Sequence, residues 1–366
     1  MSRLRCLGVI ALALCGSGLA RADDSRRFFD FAPVSAANPV VATIDGTIQI
    51  PLSELRGYRD SERLNAITDP ASLAQKRAVL EDLINEYLYV DDAYRSGVVR
   101  SDGFSRQMAA TRTMILTDFI AARATNEKGN APGETIDPGA ALADRLFEAA
   151  AIEVSNEAYE ILKRAARLVD AAGGTAREGR DPEVSARLHA IVNDTPEATL
   201  VRYEDKSISV RQILVIYAGL PAPRPPIETP AGLTTMIKPL IVPELMAIAA
   251  VKQGIAAEPE FQHKLIQNRN ALLRFHMQGL VEREANELMQ SPSLERELHG
   301  WYDTHKAEYA VTTGRGEKII PTYAQARPRV EGDYSVALRD RLLAEKAQAL
   351  RKTRAVHVDE AVLKNL

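Results

Sequence analysis

The residues that most often carry out covalent or metal chemistry are few in this chain, and their spacing matches no known catalytic motif. Cysteine occurs only at Cys6 and Cys15. There is no His-Glu-x-x-His zinc motif, and the only Gly-x-Ser-x-Gly-like run is incomplete. His299 and His305 lie six residues apart on one predicted helix, so they do not share a face. Surface histidines are therefore the simpler interpretation, and a metal site or a triad assembled from distant residues is a weaker alternative.

One glycine-containing run could suggest phosphate binding. Residues 314–318 read Gly-Arg-Gly-Glu-Lys. A phosphate loop needs longer spacing before its Lys and a strand in front of it, and both are missing here. The sequence predicts an exposed turn at this point. No cofactor is expected.

Length and charge limit the classes of protein further. The chain has 366 residues, enough for about two domains. It carries 46 Lys and Arg against 49 Asp and Glu, a net charge of −3. A dedicated nucleic-acid binder would normally carry a basic excess, so no nucleic-acid partner is expected.

The first 22 residues have the features of a secretory signal peptide. Arg3 and Arg5 precede an apolar run, and Ala20-Arg21-Ala22 offers small residues at a cleavage site. We expect cleavage after Ala22, which also removes both cysteines. A lipoprotein anchored at Cys15 is an alternative, but Leu14 is too large for the residue before a lipidated cysteine. Since no later apolar run reaches the roughly 20 residues of a membrane span, no transmembrane anchor is expected and the predicted compartment is the periplasm.

The chain then shows one order of elements twice. Two β-prone runs surround Asp45-Gly46, the strongest short signal for a hairpin. Two amphipathic helices follow and are separated by Gly97. This glycine stands where a helix would end with a residue in the left-handed conformation. A second hairpin around 200–210 precedes helices with Gly254 at the matching place, and the helices of the two halves align at a constant offset of 157 residues. The sequence therefore predicts an internal duplication, although chance matching of two amphipathic helices is the alternative.

The segments between and after these copies are less regular. We expect a loop at 126–139, helix over 141–169 with a restart at Ser155, and a flexible break at 171–180. Helix is also predicted at 182–192 and an extended loop at 221–226. Ser291-Pro292 is predicted to start a helix that runs through Trp301. Residues 311–320 are predicted to be irregular, and residues 334–354 are predicted to be helical. A lone strand at 355–358 needs a partner, so the C-terminus is expected to fold back onto one of the hairpins.

These features resemble a family of exported chaperones. The run from Val40 to Leu55, the Leu-Ile-Asn-Glu-Tyr-Leu run at 83–88, and the aromatic helix at 298–309 are similar to SurA-like and foldase chaperones of the parvulin-type peptidyl-prolyl isomerase family. The tail at 356–363 resembles the strand and helix that close the chaperone module of that family. The resemblance implies a mostly α fold in which helices and short β-hairpins form tandem duplicated peptide-binding modules.

The parvulin domain itself is missing between these segments. Only residues 310–329 separate them, and the His-Ile-Leu strand and Gly-Leu-Gly turn of the family do not occur there. No isomerase residue can therefore be carried over. The resemblance implies a non-enzymatic periplasmic chaperone that binds unfolded or extended envelope and outer-membrane proteins. A partner-specific envelope protein that reuses the fold, and a degenerate isomerase, are the alternatives.

The sequence thus predicts six segments. They are a signal peptide at 1–22, a flexible or contact-ordered lead-in at 23–38, a first copy at 39–125, a helical connector at 138–197, a second copy at 198–290, and C-terminal helices with a closing strand at 291–366. Large or adaptable apolar side chains are the expected peptide contacts, with ordinary core packing as their alternative role. These candidates are Tyr94, Phe104, Met108, Met114, Phe261, Met277 and Trp301.

Overall fold

The protein is mostly helical in a computed structural model. The structure describes residues 24–61, 72–128, 137–172, 182–220, 223–312, 314 and 317–366. The predicted signal peptide lies outside these residues, as do most of the predicted loop at 126–139, most of the predicted break at 171–180, and parts of the runs at 221–226 and 314–318.

Twelve α-helices and eight strands make up the described part of the chain. The helices are α1 (Leu52–Arg59), α2 (Leu73–Arg95), α3 (Asp102–Lys128), α4 (Pro138–Ala149), α5 (Asn156–Ala171), α6 (Pro182–Asp194), α7 (Val210–Gly219), α8 (Pro230–Lys252), α9 (Pro259–Leu288), α10 (Leu294–His305), α11 (Tyr323–Lys352) and α12 (Glu360–Leu363). The strands are β1 (Val40–Ile44), β2 (Ile48–Pro51), β3 (Glu153–Val154), β4 (Thr199–Tyr203), β5 (Lys206–Ser209), β6 (Val311–Thr312), β7 (Lys318–Ile319) and β8 (Val356–Val358).

The chain divides into two compact units. The first unit contains residues 1–105 and 266–366, and the second contains residues 106–265. The boundaries fall inside α3 and α9. The units therefore do not coincide with the two sequence copies, because each unit takes elements from both copies.

The first unit is built around the predicted hairpin. Asp45 and Gly46 both have positive φ, 51° and 66°, as a type I′ turn requires. The sheet order is β2-β1-β8, so the C-terminal strand pairs with the first hairpin as expected. Asp359 caps α12 by accepting the N–H groups of Ala361 and Val362, which also matches the sequence.

The second unit also contains a three-stranded sheet. Its sheet order is β3-β4-β5, where β4 and β5 form the predicted second hairpin. The strand β3 interrupts the helix that was predicted over 141–169. That prediction was wrong at Glu153–Val154, where pairing with β4 gives the backbone its partners. Ser155 then caps α5 as predicted, by accepting the N–H of Ala158.

Both predicted helix-ending glycines have the expected conformation. Gly97 and Gly254 have φ of +81° each, and a three-residue 3-10 turn follows each of them. A left-handed residue at this position lets the backbone leave the helix, and glycine adopts it without the steric cost of a Cβ. The two predicted copies therefore share this local geometry at their glycines.

Three boundary predictions near the C-terminus were wrong. Helix α10 starts at Leu294, because Ser291 and Pro292 belong to the turn before it. The segment at 311–320, expected to be irregular, contains the β6–β7 hairpin. Helix α11 starts at Tyr323, eleven residues before its predicted start at 334. A capping box between Thr322 and Gln325 begins the helix, and Pro328 is accommodated within it.

Candidate functional site

An open groove lies on the surface of the second unit. Its volume is about 570 Å³, and it lies between β5, α7 and α8. Apolar side chains and a smaller polar set both line it. The lining residues are Tyr203, Lys206, Ser207, Ile208, Gln212, Val215, Ile216, Leu240 and Glu244.

The helix α7 brings two uncovered apolar side chains to this groove. Val215 is 54% exposed and Ile216 is 37% exposed. The opposite side of the same helix is buried in the core through Ile213, Leu214 and Tyr217. The second unit itself leaves these two side chains uncovered, and adjacent exposed apolar side chains beside a groove are one mark of a binding surface.

The neighbouring strand offers backbone groups to a ligand. β5 lies at the edge of the sheet, because β4 is its one strand neighbour in the described part of the chain. Lys206 and Ser207 of this strand are exposed. An edge strand presents unpaired N–H and C=O groups, which can pair with an extended peptide while alternate side chains of that peptide enter an adjacent groove.

The polar side of the groove is held by an ion pair between strand and helix. The Nζ of Lys206 donates to the Oε2 of Glu244. This hydrogen bond raises the pKa of Lys206. Because both side chains are partly exposed, the pair contributes little to stability. The main effect of the pair is therefore to place one positive and one negative group beside the apolar side chains that line the groove.

The first unit holds a second polar feature, a buried carboxylate on α1. Glu54 accepts backbone N–H groups from Phe28 at 2.5 Å, Phe29 at 3.1 Å and Asp30 at 2.7 Å. The hydroxyl of Tyr87 donates to it at 3.1 Å. The lead-in is thus ordered by contact, with Arg27 and Phe28 buried. This arrangement agrees with the contact-ordered alternative for that segment.

The ionisation of Glu54 should affect stability. Burial raises its pKa from 4.5 to about 6, and the hydrogen bonds from Phe28, Asp30, Phe29 and Tyr87 oppose this rise. A carboxyl whose pKa is higher in the folded state binds its proton more tightly there, so its contribution is greatest below pH 4.5 and is lost as pH rises through 6.

We therefore expect the free energy of unfolding to fall by about 2 kcal/mol between pH 4.5 and pH 7 relative to the Glu54→Gln variant, since one pKa unit corresponds to about 1.4 kcal/mol. Urea denaturation of both proteins at several pH values measures this difference. A difference between the two proteins that stays constant with pH would contradict the assignment.

The predicted peptide contacts separate into buried and accessible residues. Phe104, Phe261 and Met277 are buried and belong to the core, so their prediction as surface contacts is corrected. Trp301 packs against the cluster formed by α9, α10 and α11, with its Nε1 donating to Tyr309 at 3.1 Å. Tyr94 is half-buried.

The two predicted methionine contacts on α3, in the second unit, are more accessible. Met114 is 52% exposed and Met108 is half-buried, both on α3. Neither lines the groove. The predicted contacts are thus divided between the two units.

Sequence reasoning missed the groove residues for an identifiable reason. Val215 and Ile216 lie in the run Val-Arg-Gln-Ile-Leu-Val-Ile-Tyr, which has more apolar residues than one helix face can bury. That excess was the available signal. Among the described residues, no three His, Cys, Asp or Glu side chains are grouped closely enough to hold a metal ion.

One helix of the second unit has the length and composition of a membrane span, although no such stretch was expected. It is α8, and 39% of its most apolar window is buried within the structure. Buried residues of α8 include Met236, Ile237, Ile241 and Leu245, which belong to the core of the second unit. Since core helices also meet these criteria, α8 is weak support for a membrane span.

Comparisons with known proteins identify no relative. No family model, no curated protein and no solved structure matches this chain. The geometry of the chain itself is therefore the basis for its proposed function.

Proposed function

We propose that the mature chain is an exported, chaperone-like protein that binds unfolded or extended polypeptides in the periplasm and has no isomerase activity. The observation that carries this proposal is the groove of the second unit, where exposed Val215 and Ile216 lie beside the edge strand β5. Backbone pairing at an edge strand does not depend on the side chains of the ligand, and an apolar groove accepts many of them. The combination suits a binder of varied clients.

The proposal includes an internal duplication in which the two copies exchange elements. In the first unit β8 pairs with the first hairpin, and Asp359 donates its N–H to the carbonyl of Val41 at 2.9 Å. In the second unit β3 pairs with the second hairpin, and Ser155 donates its N–H to the carbonyl of Leu200 at 2.9 Å. Both donors are helix N-caps. Each hairpin would thus pair with a strand from the segment that follows the other copy.

A pair of helix contacts supports the same exchange. Arg274 of α9 forms an ion pair with Glu86 of α2 at 2.8 Å in the first unit. In the second unit Thr117 of α3 donates to the carbonyl of Pro243 of α8 at 3.1 Å. Thr117 and Arg274 are 157 positions apart, and so are Glu86 and Pro243, which is the offset of the repeat.

The absence of isomerase activity is proposed from the short segment between α10 and α11. It holds a 3-10 turn and the β6–β7 hairpin, whose strands have two residues each. A prolyl isomerase must lower a barrier of roughly 18–20 kcal/mol with a closed apolar pocket around the twisted amide. A segment this short is far below the roughly 40 residues that a small domain needs.

The experiment is a pair of assays on the purified mature protein. We expect near-stoichiometric amounts to slow aggregation of a diluted, urea-unfolded outer-membrane protein. We expect the isomerisation rate of a prolyl test peptide to stay at its uncatalysed value. Catalysis that is proportional to protein and lost on heating would overturn the non-catalytic assignment. Failure to slow aggregation of any of several clients would favour a partner-specific envelope protein.

A further inference from the structure

The lead-in already fills a groove on the first unit. Phe29 packs edge-on against Tyr58 of α1 with ring centroids 5.4 Å apart, and Phe28 packs edge-on against Tyr87 of α2 at 5.5 Å. Gly57 of α1 lies directly against Phe29, since a Cβ at Gly57 would be 2.7 Å from the Cβ of Phe29. Glu54 binds the backbone of the same segment. The lead-in, a 3-10 turn at Asp24–Arg26 followed by a bend at Phe28 and Phe29, is thus a segment bound by α1 and α2.

Each of these four contact residues has a counterpart in the second unit. Glu54, Gly57 and Tyr58 are the third, sixth and seventh residues of α1, and Gln212, Val215 and Ile216 hold the same places in α7. Tyr87 lies ten residues before Gly97, as Glu244 lies ten residues before Gly254. The counterparts Gln212, Val215, Ile216 and Glu244 all line the groove described above. The groove is therefore the place that the lead-in occupies in the first unit.

The correspondence extends beyond the groove. Tyr94 lies under the guanidinium groups of Arg26 of the lead-in and of Arg269, each 5.3 Å from the ring centroid. Its counterpart three residues before Gly254 is Val251, which is 45% exposed. Val215, Ile216 and Val251 are thus apolar side chains left uncovered at positions whose equivalents face the lead-in. In the second unit the equivalent surface is left exposed. We call the surface that the lead-in covers the first track, and its equivalent, which includes Val215, Ile216 and Val251, the second track.

The differences between the two tracks define the ligand. Asp91, which pairs with Arg26 at 3.2 Å, has the uncharged counterpart Ile248, so the second track does not favour a basic ligand. Gln212 replaces the carboxylate of Glu54 with an amide, which can both donate to and accept from a peptide backbone. Val215 replaces Gly57, so a ligand must contact α7 through side chains rather than by close backbone approach.

We infer that the groove of the second unit takes a segment of another polypeptide with two adjacent aromatic or large aliphatic side chains and no requirement for charge, bound as Phe28 and Phe29 are bound in the first unit. This inference rests on the proposed function and names the class of ligand for that site. The two side chains cover Val215 and Ile216, and the backbone of the ligand reaches Gln212.

The test measures binding of a labelled peptide to the mature chain by fluorescence anisotropy. The peptide has the sequence of residues 24–34 with Arg26→Ser and Arg27→Ser, because Ile248 stands where Asp91 pairs with Arg26 in the first unit and charge should not be needed for binding. A matched peptide also carries Phe28→Ser and Phe29→Ser. The protein variants are Val215→Asp in the groove and Leu168→Asp as control, since Leu168 is 58% exposed in the same unit and lies outside the groove. Both side chains are exposed, so both variants should fold.

We expect the aromatic peptide to bind the wild type and Leu168→Asp equally. Binding should be at least about tenfold weaker for Val215→Asp and for the matched peptide, which corresponds to about 1.4 kcal/mol. Equal binding to Val215→Asp and wild type would overturn the inference. So would dimerisation of the mature chain that Val215→Asp abolishes, because the occupant would then be a second copy.

The same proteins separate this inference from the proposed function. Slowed aggregation without binding of the peptide would overturn the inference and leave the chaperone proposal standing. Peptide binding that Val215→Asp removes, in a protein that slows no aggregation, would support the inference and overturn the chaperone proposal.

Discussion

Truncation after Thr353 should unfold the first unit, although it removes only the last 13 residues. These residues contain β8, which pairs with β1 at three positions, and Leu363, which is fully buried. They also contain Arg354, which pairs with Asp45 at 3.2 Å and Asp91 at 2.9 Å. Removal of a buried leucine alone costs about 2–5 kcal/mol. With the lost strand and ion pairs, we expect a loss of about 5 kcal/mol or more.

The single tryptophan makes this loss measurable. Trp301 is the one Trp of the chain and belongs to the first unit, so its fluorescence during urea denaturation reports that unit. Truncation after Leu363 is the control, because residues 364–366 have no buried side chain and should change stability little. Equal denaturation midpoints for the two truncations would contradict the closing role of β8 and α12.

Phe28→Ala should be the most damaging point substitution in the lead-in. Phe28 is buried, its ring contacts Tyr87, and its N–H donates to Glu54. Loss of a buried phenylalanine costs about 3–5 kcal/mol, so we expect a decrease in unfolding free energy near 3 kcal/mol because the site is close to the surface.

The control is Phe275→Ala in the same unit. Phe275 is 69% exposed, and substitutions of this kind change stability by about 0.5 kcal/mol or less. Urea denaturation followed by Trp301 fluorescence compares the two variants. Similar small effects for both would show that the lead-in is not part of the folded first unit.

Local chemistry made several elements predictable from the sequence. The Asp45-Gly46 turn, the left-handed Gly97 and Gly254, and the cap at Ser155 depend on residues next to each other in the chain. The lone C-terminal strand also required a partner, which is why its pairing with a hairpin could be expected.

The features that were missed depend on contacts between distant residues. Glu153–Val154 reads as a continuation of an apolar helix pattern, and pairing with β4 is what makes it a strand. The partners of Glu54 are backbone N–H groups 24 to 26 residues away, and a lone charged residue in a sequence is expected at the surface. The exposed Val215 and Ile216 looked like core residues because their neighbours in α7 are core residues.

Hydrogen exchange tests most directly whether extended clients bind at the groove of the second unit. Exchange of the mature chain is measured alone and with an excess of an unfolded outer-membrane protein. If clients bind at this groove, we expect slower exchange at 206–216, where β5 and α7 line it. We expect little change at 48–58, the segment of the first unit that corresponds to 206–216 and faces the lead-in. Unchanged exchange at 206–216 while the client is bound, or protection confined to the first unit, would contradict the account.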